Sequence, residues 1–333
     1  MNMGLSIYSY APVRICDIGG WTDTWFYKKG AVFNISVDLY SKIRISENNL
    51  NNIRIVSDNL KLNTIISDFN NIEYNGTLDL LKAAVKRIGI KKGLDINVRA
   101  DSPPGSGTGT SASVAVALIA ALAMYLKKDL NKYEIAKLAH KLEIEELKLE
   151  SGVQDQYAAA FGGINFMKID YPSVKIYNIK LNKRKIFELE NQLILVYLSS
   201  RSSNEMHKAV LKNYLNKNKN TLESFEIMKN CAYEMKKAIK SSIIDFADVM
   251  NRNWEAQKNL HSLMVNPFIE NLEKIVKDNG AIGFKCNGAG GGGSAIILAG
   301  IDNKYNLSKN IIKAGYKLLP FKLDFDGVLS YHE

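Results

Sequence analysis

The period of the apolar positions changes part-way along the chain. Residues 5–15, 31–39, 42–46 and 52–57 alternate apolar with polar side chains or run through β-branched ones, with Gly, Asp and Asn between them, and predict strands. Further on, 79–88, 112–127 and 132–148 carry apolar residues at spacings of three and four, the mark of helices, with a strand at 94–99 between the first two. Beyond Gly162 and Gly163 two short strands are expected at 164–169 and 174–179, followed by a basic stretch at 180–185. A hydrophobic strand at 193–198 begins a second unit, so domains of 1–187 and 188–333 are expected. That unit continues with helices at 204–216, 222–241, 246–263 and 267–279 and strands around Ile282, Ile296 and Phe325. Strands and helices mix in irregular order in both halves, which favours a two-domain α+β architecture over a doubly wound sheet.

Composition narrows the class. With 46% hydrophobic residues the 333-residue chain can bury a core, and three cysteines, Cys16, Cys231 and Cys286, do not form a disulfide framework. The start lacks the basic-then-apolar order of a secretory signal, and the apolar run at 112–126 is shorter than the ~20 residues that cross a bilayer. A cytoplasmic protein with no membrane partner is therefore expected. Lys and Arg outnumber Asp and Glu by 44 to 34, but the basic stretches are scattered and interleaved with acids, as on solvated faces. Small anionic ligands fit that charge, and nucleic acid is not expected as a partner.

Two glycine-rich segments carry the first chemical signal. Pro103, Pro104, Gly105, Ser106, Gly107, Thr108, Gly109, Thr110 and Ser111 lie between a predicted strand and the helix at 112–127. Such a loop gathers unpaired backbone N–H groups at the positive end of a helix dipole, where phosphate binds. No Lys precedes the final hydroxyl residue, so a Walker-type NTPase is not indicated, and Thr110 stands where a dinucleotide fingerprint needs glycine. A plain turn with Ser111 as helix cap is the alternative. The second segment, Gly288, Ala289, Gly290, Gly291, Gly292, Gly293 and Ser294, leads into a strand rather than a helix, which removes a Rossmann reading but leaves close approach of backbone to a ligand. Carboxylates suited to phosphate chemistry are Asp155, between a long helix and a small-residue one, and Glu143, which borders the apolar stripe of its helix; Glu145 and Glu146 are rivals for the second role. Asp155 as a mere helix cap is an equal reading at this stage. Arg14 in a strand and Asp23 after the Gly19–Gly20 turn form a second polar group.

Taken together, three segments in this order, APVRICDIGGWTD from Ala11, PPGSGTGTSAS from Pro103 and NGAGGGGSAI from Asn287, resemble the GHMP family of small-molecule kinases. Within it, SGVQDQYAAAFGGINFM from Ser151 and YLSSRSS from Tyr197 resemble heptose 7-phosphate kinases, and GGWTDT resembles L-fucokinases. The resemblance implies an N-terminal domain of the ribosomal-protein-S5 domain 2 type, a ferredoxin-like α+β C-terminal domain, and a cleft between them where ATP and Mg²⁺ serve to phosphorylate the anomeric hydroxyl of a sugar. It also implies roles. Residues 104–111 would cradle the ATP phosphates, Ser111 and Glu143 would ligate Mg²⁺, and Asp155 would be the base with Arg14 beside it. Gly20, Trp21 and Asp23 would meet the sugar, Gly290, Gly291 and Gly292 would close the site from the second domain, and Arg201 would receive a sugar phosphate. Gly20–Trp21 in place of the Glu-His of galactokinases disfavours galactose. A free sugar such as L-fucose is the alternative acceptor, a homodimer is left open, and RNA binding by a decayed S5-like domain is the remote rival.

Overall fold

The computed structural model describes residues 6–200 and 204–333. Its first strand, β1 (Ser6–Ile18), alternates buried and half-buried residues as far as Tyr10 and is buried at every position from Ala11 onward. Continuous burial of this kind needs cover on both faces of a strand, and two hydrophobic clusters provide it. The hairpin partner β2 (Ala31–Glu47) runs unbroken through the gap expected at residues 40–41, because no glycine or proline interrupts it; bulges at Pro12/Val13 and Ile15/Ile18 adjust the register to β1.

The remaining elements of the first domain are β3 (Ile53–Ser57), β4 (Leu62–Ile66), α1 (Asp79–Ile88), β5 (Leu94–Ala100), α2 (Thr110–Tyr125), α3 (Lys132–Lys141), α4 (Gln154–Phe161), β6 (Ile164–Asp170) and β7 (Ser173–Asn178). The second is built from α5 (Lys183–Gln192), β8 (Leu193–Ser199), α6 (Asn204–Leu215), α7 (Lys219–Ala238), α8 (Ile243–Lys258), α9 (Pro267–Asp278), β9 (Ala281–Cys286), β10 (Gly293–Ala299), α10 (Lys304–Lys313) and β11 (Lys317–Leu318), and the chain ends in β12 (Leu329–His332). An eight-stranded sheet runs β12-β1-β2-β5-β3-β4 with β6 attached to β2 and β7 to β6, and a four-stranded antiparallel sheet runs β11-β8-β10-β9. The fold is thus α+β with two sheets.

Helix α2 is apolar nearly all round, from Ala112 to Ala123, and lies in the middle of the first core with Ile43, Ile96, Val85, Ala136 and Ala158. The second cluster joins the two domains. In it Val13, Ile15, Ile18, Phe33 and Ile35 of β1 and β2 meet Leu193, Leu195, Met235, Phe246, Ile296 and Leu298.

Several elements differ from expectation. The 187/188 boundary falls inside α5, whose Asn182 cap accepts from Lys185 N at 2.9 Å; its basic surface residues hide a short apolar stripe. Strand β4 and helix α10 carry too few buried residues to stand out in the sequence. No strand forms at Phe325; β12 closes the chain instead and returns to pair with β1 in the first sheet. The helix expected over 132–148 ends as α3 and continues as a π-turn, Leu142–Glu146.

His140 on α3 is buried, with Nε2 3.1 Å from the Tyr171 hydroxyl and Nδ1 without a hydrogen-bond partner. Burial lowers its pKa from 6.5 to about 4, so the fold holds the neutral ring. Its contribution is complete above about pH 6.5 and is lost as the pH falls toward 4. In urea unfolding the stability of the wild type relative to His140→Gln is expected to fall by about 3 kcal/mol across that window; a constant difference between the two would refute the assignment.

Candidate active site

Between β5 and α2 the chain folds into a loop held from within. The hydroxyls of Ser102, Ser106 and Thr108 form a buried triangle with sides of 2.7 to 2.9 Å. Pro104, Gly105, Ser106, Gly107, Gly109, Thr110 and Ser111 line a crevice of about 560 Å³, a volume suited to a nucleotide-sized ligand. Thr108 was expected to line it too, but its side chain belongs to the triangle and its carbonyl accepts from Arg14 N at 2.9 Å. Gly109, at φ +77°, caps α2, and a Cβ placed there would lie 3.1 Å from the Asp155 carboxylate. The loop and the carboxylate, far apart in sequence, therefore touch.

Arg14 ties them together. Its Nε donates to Asp155 Oδ1 at 2.8 Å, one terminal nitrogen donates to the Gly107 carbonyl, and the other lies 3.8 Å from Asp17 Oδ2. Burial alone would pull the guanidinium pKa down, but Asp155 and Asp17 outweigh it and the net direction is up. Asp155, in the first turn of α4, keeps 27% of its side chain exposed, toward the crevice.

Glu143 faces the same crevice because the π-turn swings it inward. Its Oε2 accepts from Ser151 Oγ and from Gln156 Nε2, the latter at 2.9 Å. Burial, reinforced by the neighbouring charge of Asp155, raises its pKa to about 7. Glu145 and Glu146 turn away, to Arg87 and Lys141 and to Tyr74, Lys86 and Arg87. A buried carboxylate beside a second one, with a helix-end hydroxyl at Ser111 on the same wall, is the hard oxygen donor set that a Mg²⁺ ion takes. Asp23 Oδ2 accepts from Gln154 N at 3.0 Å, and burial raises its pKa to about 6.

Other expected residues are placed differently. Gly20 is wedged between the Asp17 carboxylate and Gln154 and does not line the crevice. Trp21 does, with φ +74° and its ring edge-on to His207 of α6 at 4.9 Å between centroids. Gly290 and Gly291 turn to Met264, Met206 and Leu263, and Gly292 lies off the crevice as well; Gly288 and Ala289 face it instead. Glycine permits close approach without saying to what, and here the tip of the segment approaches its own domain. Arg201 lies outside the described residues.

Family models match in both domains: GHMP kinases N terminal domain over residues 75–163 and GHMP kinases C terminal over 235–316. A D-glycero-alpha-D-manno-heptose 7-phosphate kinase of Campylobacter jejuni is 31% identical, covering 98% of this chain and 99% of that one. The chain belongs to the GHMP kinases. It is a phosphotransferase with an alcohol group as acceptor. Among solved structures, a D-glycero-D-manno-heptose 1-phosphate kinase from Bacteroides thetaiotaomicron superposes with a TM-score of 0.81 at 25% identity, covering 98% of both chains. The bifunctional fucokinase/GDP-fucose pyrophosphorylase of Arabidopsis thaliana is 29% identical over 86% of this chain and 29% of its own length.

Sequence reasoning missed a buried pair of charges at this crevice. Asp17 lies on the crevice wall, and Lys285, fully buried, donates to it at 3.1 Å from the other domain. The available signal was Lys285 inside the otherwise apolar β9 and Asp17 among the buried residues at the end of β1.

Gly109 and Gly89 offer a matched pair, since both have left-handed backbone but only Gly109 has a neighbour within 4 Å of the added methyl. Alanine at either position is expected to cost about 1 kcal/mol in thermal unfolding, and Gly109→Ala alone to lower kcat, by displacing Asp155. Equal kcat for the two variants would separate Gly109 from the reacting wall.

Proposed function

We propose that this sugar kinase transfers the γ-phosphoryl group of ATP to the anomeric hydroxyl of a heptose already phosphorylated at its far end. The observation that carries the reading is the Asp155 carboxylate, set against Gly109 of the phosphate loop and bonded to Arg14. The identity of the acceptor rests on the 31% identical relative over nearly the whole chain. ATP lies with its phosphates along residues 104–111, at the N-terminus of α2, where backbone N–H groups and the helix dipole favour anions. Ser111 and Glu143 would hold Mg²⁺, which would supply positive charge against the phosphate oxygens.

The acceptor oxygen forms a bond to the γ-phosphorus as the bond from that phosphorus to the β–γ bridging oxygen breaks, and ADP leaves. Asp155 Oδ2 takes the hydroxyl proton, while Arg14 donates to the other oxygen and aims the carboxylate at the acceptor. Most of the acceleration comes from alignment and charge neutralisation rather than from proton transfer. Asp23 and Trp21 border the acceptor, and the Asp23 carboxylate accepts hydrogen bonds from ring hydroxyls. Three buried cysteines that form no disulfide fit a reducing compartment, and no helix among the described residues is long and apolar enough to cross a membrane.

A free sugar is the second reading, favoured by the charge of the wall. Among the described residues that line the crevice the basic side chains are Arg14, already bonded to Asp155, and His207, while Asp23 and Glu150 border the acceptor end. A coupled ADP assay over a panel of sugars is expected to give the highest kcat/KM with heptose 7-phosphate; L-fucose above it would transfer the assignment to the free sugar. Asp155→Asn is expected to lower kcat by about two to four orders of magnitude while a fluorescent ATP analogue still binds. Undiminished turnover would remove Asp155 as the base.

A further inference from the structure

We propose that Asp17 is a positioning residue for phosphoryl transfer, acting through its buried pairing with Lys285 to fix Arg14 on one side and the Gly288 amide on the other. The proposal rests on the reading of Arg14 and Asp155 as the reacting wall.

Asp17 and Lys285 are 1% and 0% exposed, and they come from different domains, β1 and β9. Lys285 Nζ has three acceptors for its three protons: Asp17 Oδ1 at 3.1 Å, Gln257 Oε1 at 2.9 Å and the Cys286 carbonyl at 2.8 Å. On the other side, Gly288 N donates to both Asp17 oxygens, at 3.0 and 3.2 Å, which brings the start of the second glycine segment onto the crevice wall. The neighbours of Asp17 on the strand are otherwise apolar and join the core between the domains. A buried ion pair gains little stability over apolar side chains of the same volume, because removing both charges from water cancels most of their attraction. Stability alone therefore does not account for a charge at this point.

Orientation does. The Arg14 guanidinium has Asp155 on Nε, the Gly107 carbonyl on one amino group and Asp17 at 3.8 Å from the other. With three partners around its edge the plane is fixed and Nε points at the carboxylate that meets the acceptor. Take away the charge of Asp17 and the third side of the fork is open. A displacement of the reacting group of about 1 Å costs on the order of 100-fold in rate. Asp17 reaches the Asp155 carboxylate through Arg14, so its effect should appear in kcat rather than in ATP binding.

The test is a double-mutant cycle on the full chain with Asp17→Asn, Lys285→Met and the two combined, beside Asp155→Asn, each followed by thermal unfolding and steady-state kinetics. Either single change leaves a buried polar or charged group without its partner and is expected to lower the melting temperature. The combined variant, with the charges gone together, is expected to recover most of that loss yet keep kcat about 10-fold or more below wild type, with the KM for ATP within about twofold. A combined variant with wild-type kcat would make the pair a structural staple only, and one that does not recover its melting temperature would overturn the proposal equally, since folding alone would then explain the pair. If Asp155→Asn is itself fully active, the reading of the wall fails and this inference with it, whereas a wild-type kcat in the combined variant beside an inactive Asp155→Asn removes this inference alone.

Discussion

A guanidinium sealed from water organises this site. Arg14 is 3% exposed and cannot shed its proton, so every polar edge it buries needs an acceptor supplied by the fold. The acceptors come from separate parts of the chain: the Asp155 carboxylate at the start of α4, the Gly107 carbonyl in the phosphate loop and Asp17 on the same strand, while the backbone N of Arg14 bonds to Thr108. Satisfying one side chain thus fixes the loop, the helix and the strand relative to one another. The same arrangement gives a glycine loop without a lysine a cation at its back.

The charge balance of the crevice follows from that choice. Asp155, Asp17 and Asp23 gather around one guanidinium, Glu143 stands beside Asp155, and the wall holds more carboxylate than Arg14 can pair. Burial and mutual repulsion push Glu143 to about 7 and Asp23 to about 6, so near neutral pH both stand close to taking up protons. A wall in this condition gains when positive charge arrives with a substrate. The π-turn at Leu142–Glu146 serves this directly: it rotates Glu143 into the crevice and leaves Glu145 and Glu146 to the surface cations. A regular helix carries no such offset, which is why spacing alone left three glutamates in competition.

Legibility in the sequence followed the range of the interaction. The glycine loop before α2, that helix and the strands of the first sheet rest on local periodicity and on glycine chemistry, and those were readable. Asp155 and Arg14 stood out as charges beside small or apolar residues. The Asp17–Lys285 pair joins positions 268 residues apart, and no local pattern records which distant strand brings the partner. Gly290 and Gly291 show the opposite failure: the glycines signalled close approach, but the close neighbours proved to be Met264 and Met206 rather than a ligand. Helix α5 was hidden by its basic surface, and β12 by the return of the chain to a sheet it had left far upstream.

The division between packed wall and loop explains why the chemistry is more legible than the acceptor. Arg14 and Asp17 stand on a strand held by the continuous core between the two domains, and Asp155 on a helix of the first core, so their geometry is tied to many apolar contacts at once. The end of the crevice proposed for the acceptor is bordered by other material. Trp21 sits in left-handed backbone, which a bulky side chain adopts only where its surroundings hold it, and here the edge contact with His207 and a small cluster with Met206, Val210 and Phe225 do so. Trp25, half exposed, bonds to Glu150 on the facing loop. Changes in these loops leave the core intact, whereas a change at Arg14 or Asp155 reaches all of it. Acceptor preference can therefore shift within this architecture by substitutions that disturb neither the fold nor the transfer chemistry, and a sequence read for its chemistry reveals the reaction before it reveals the sugar.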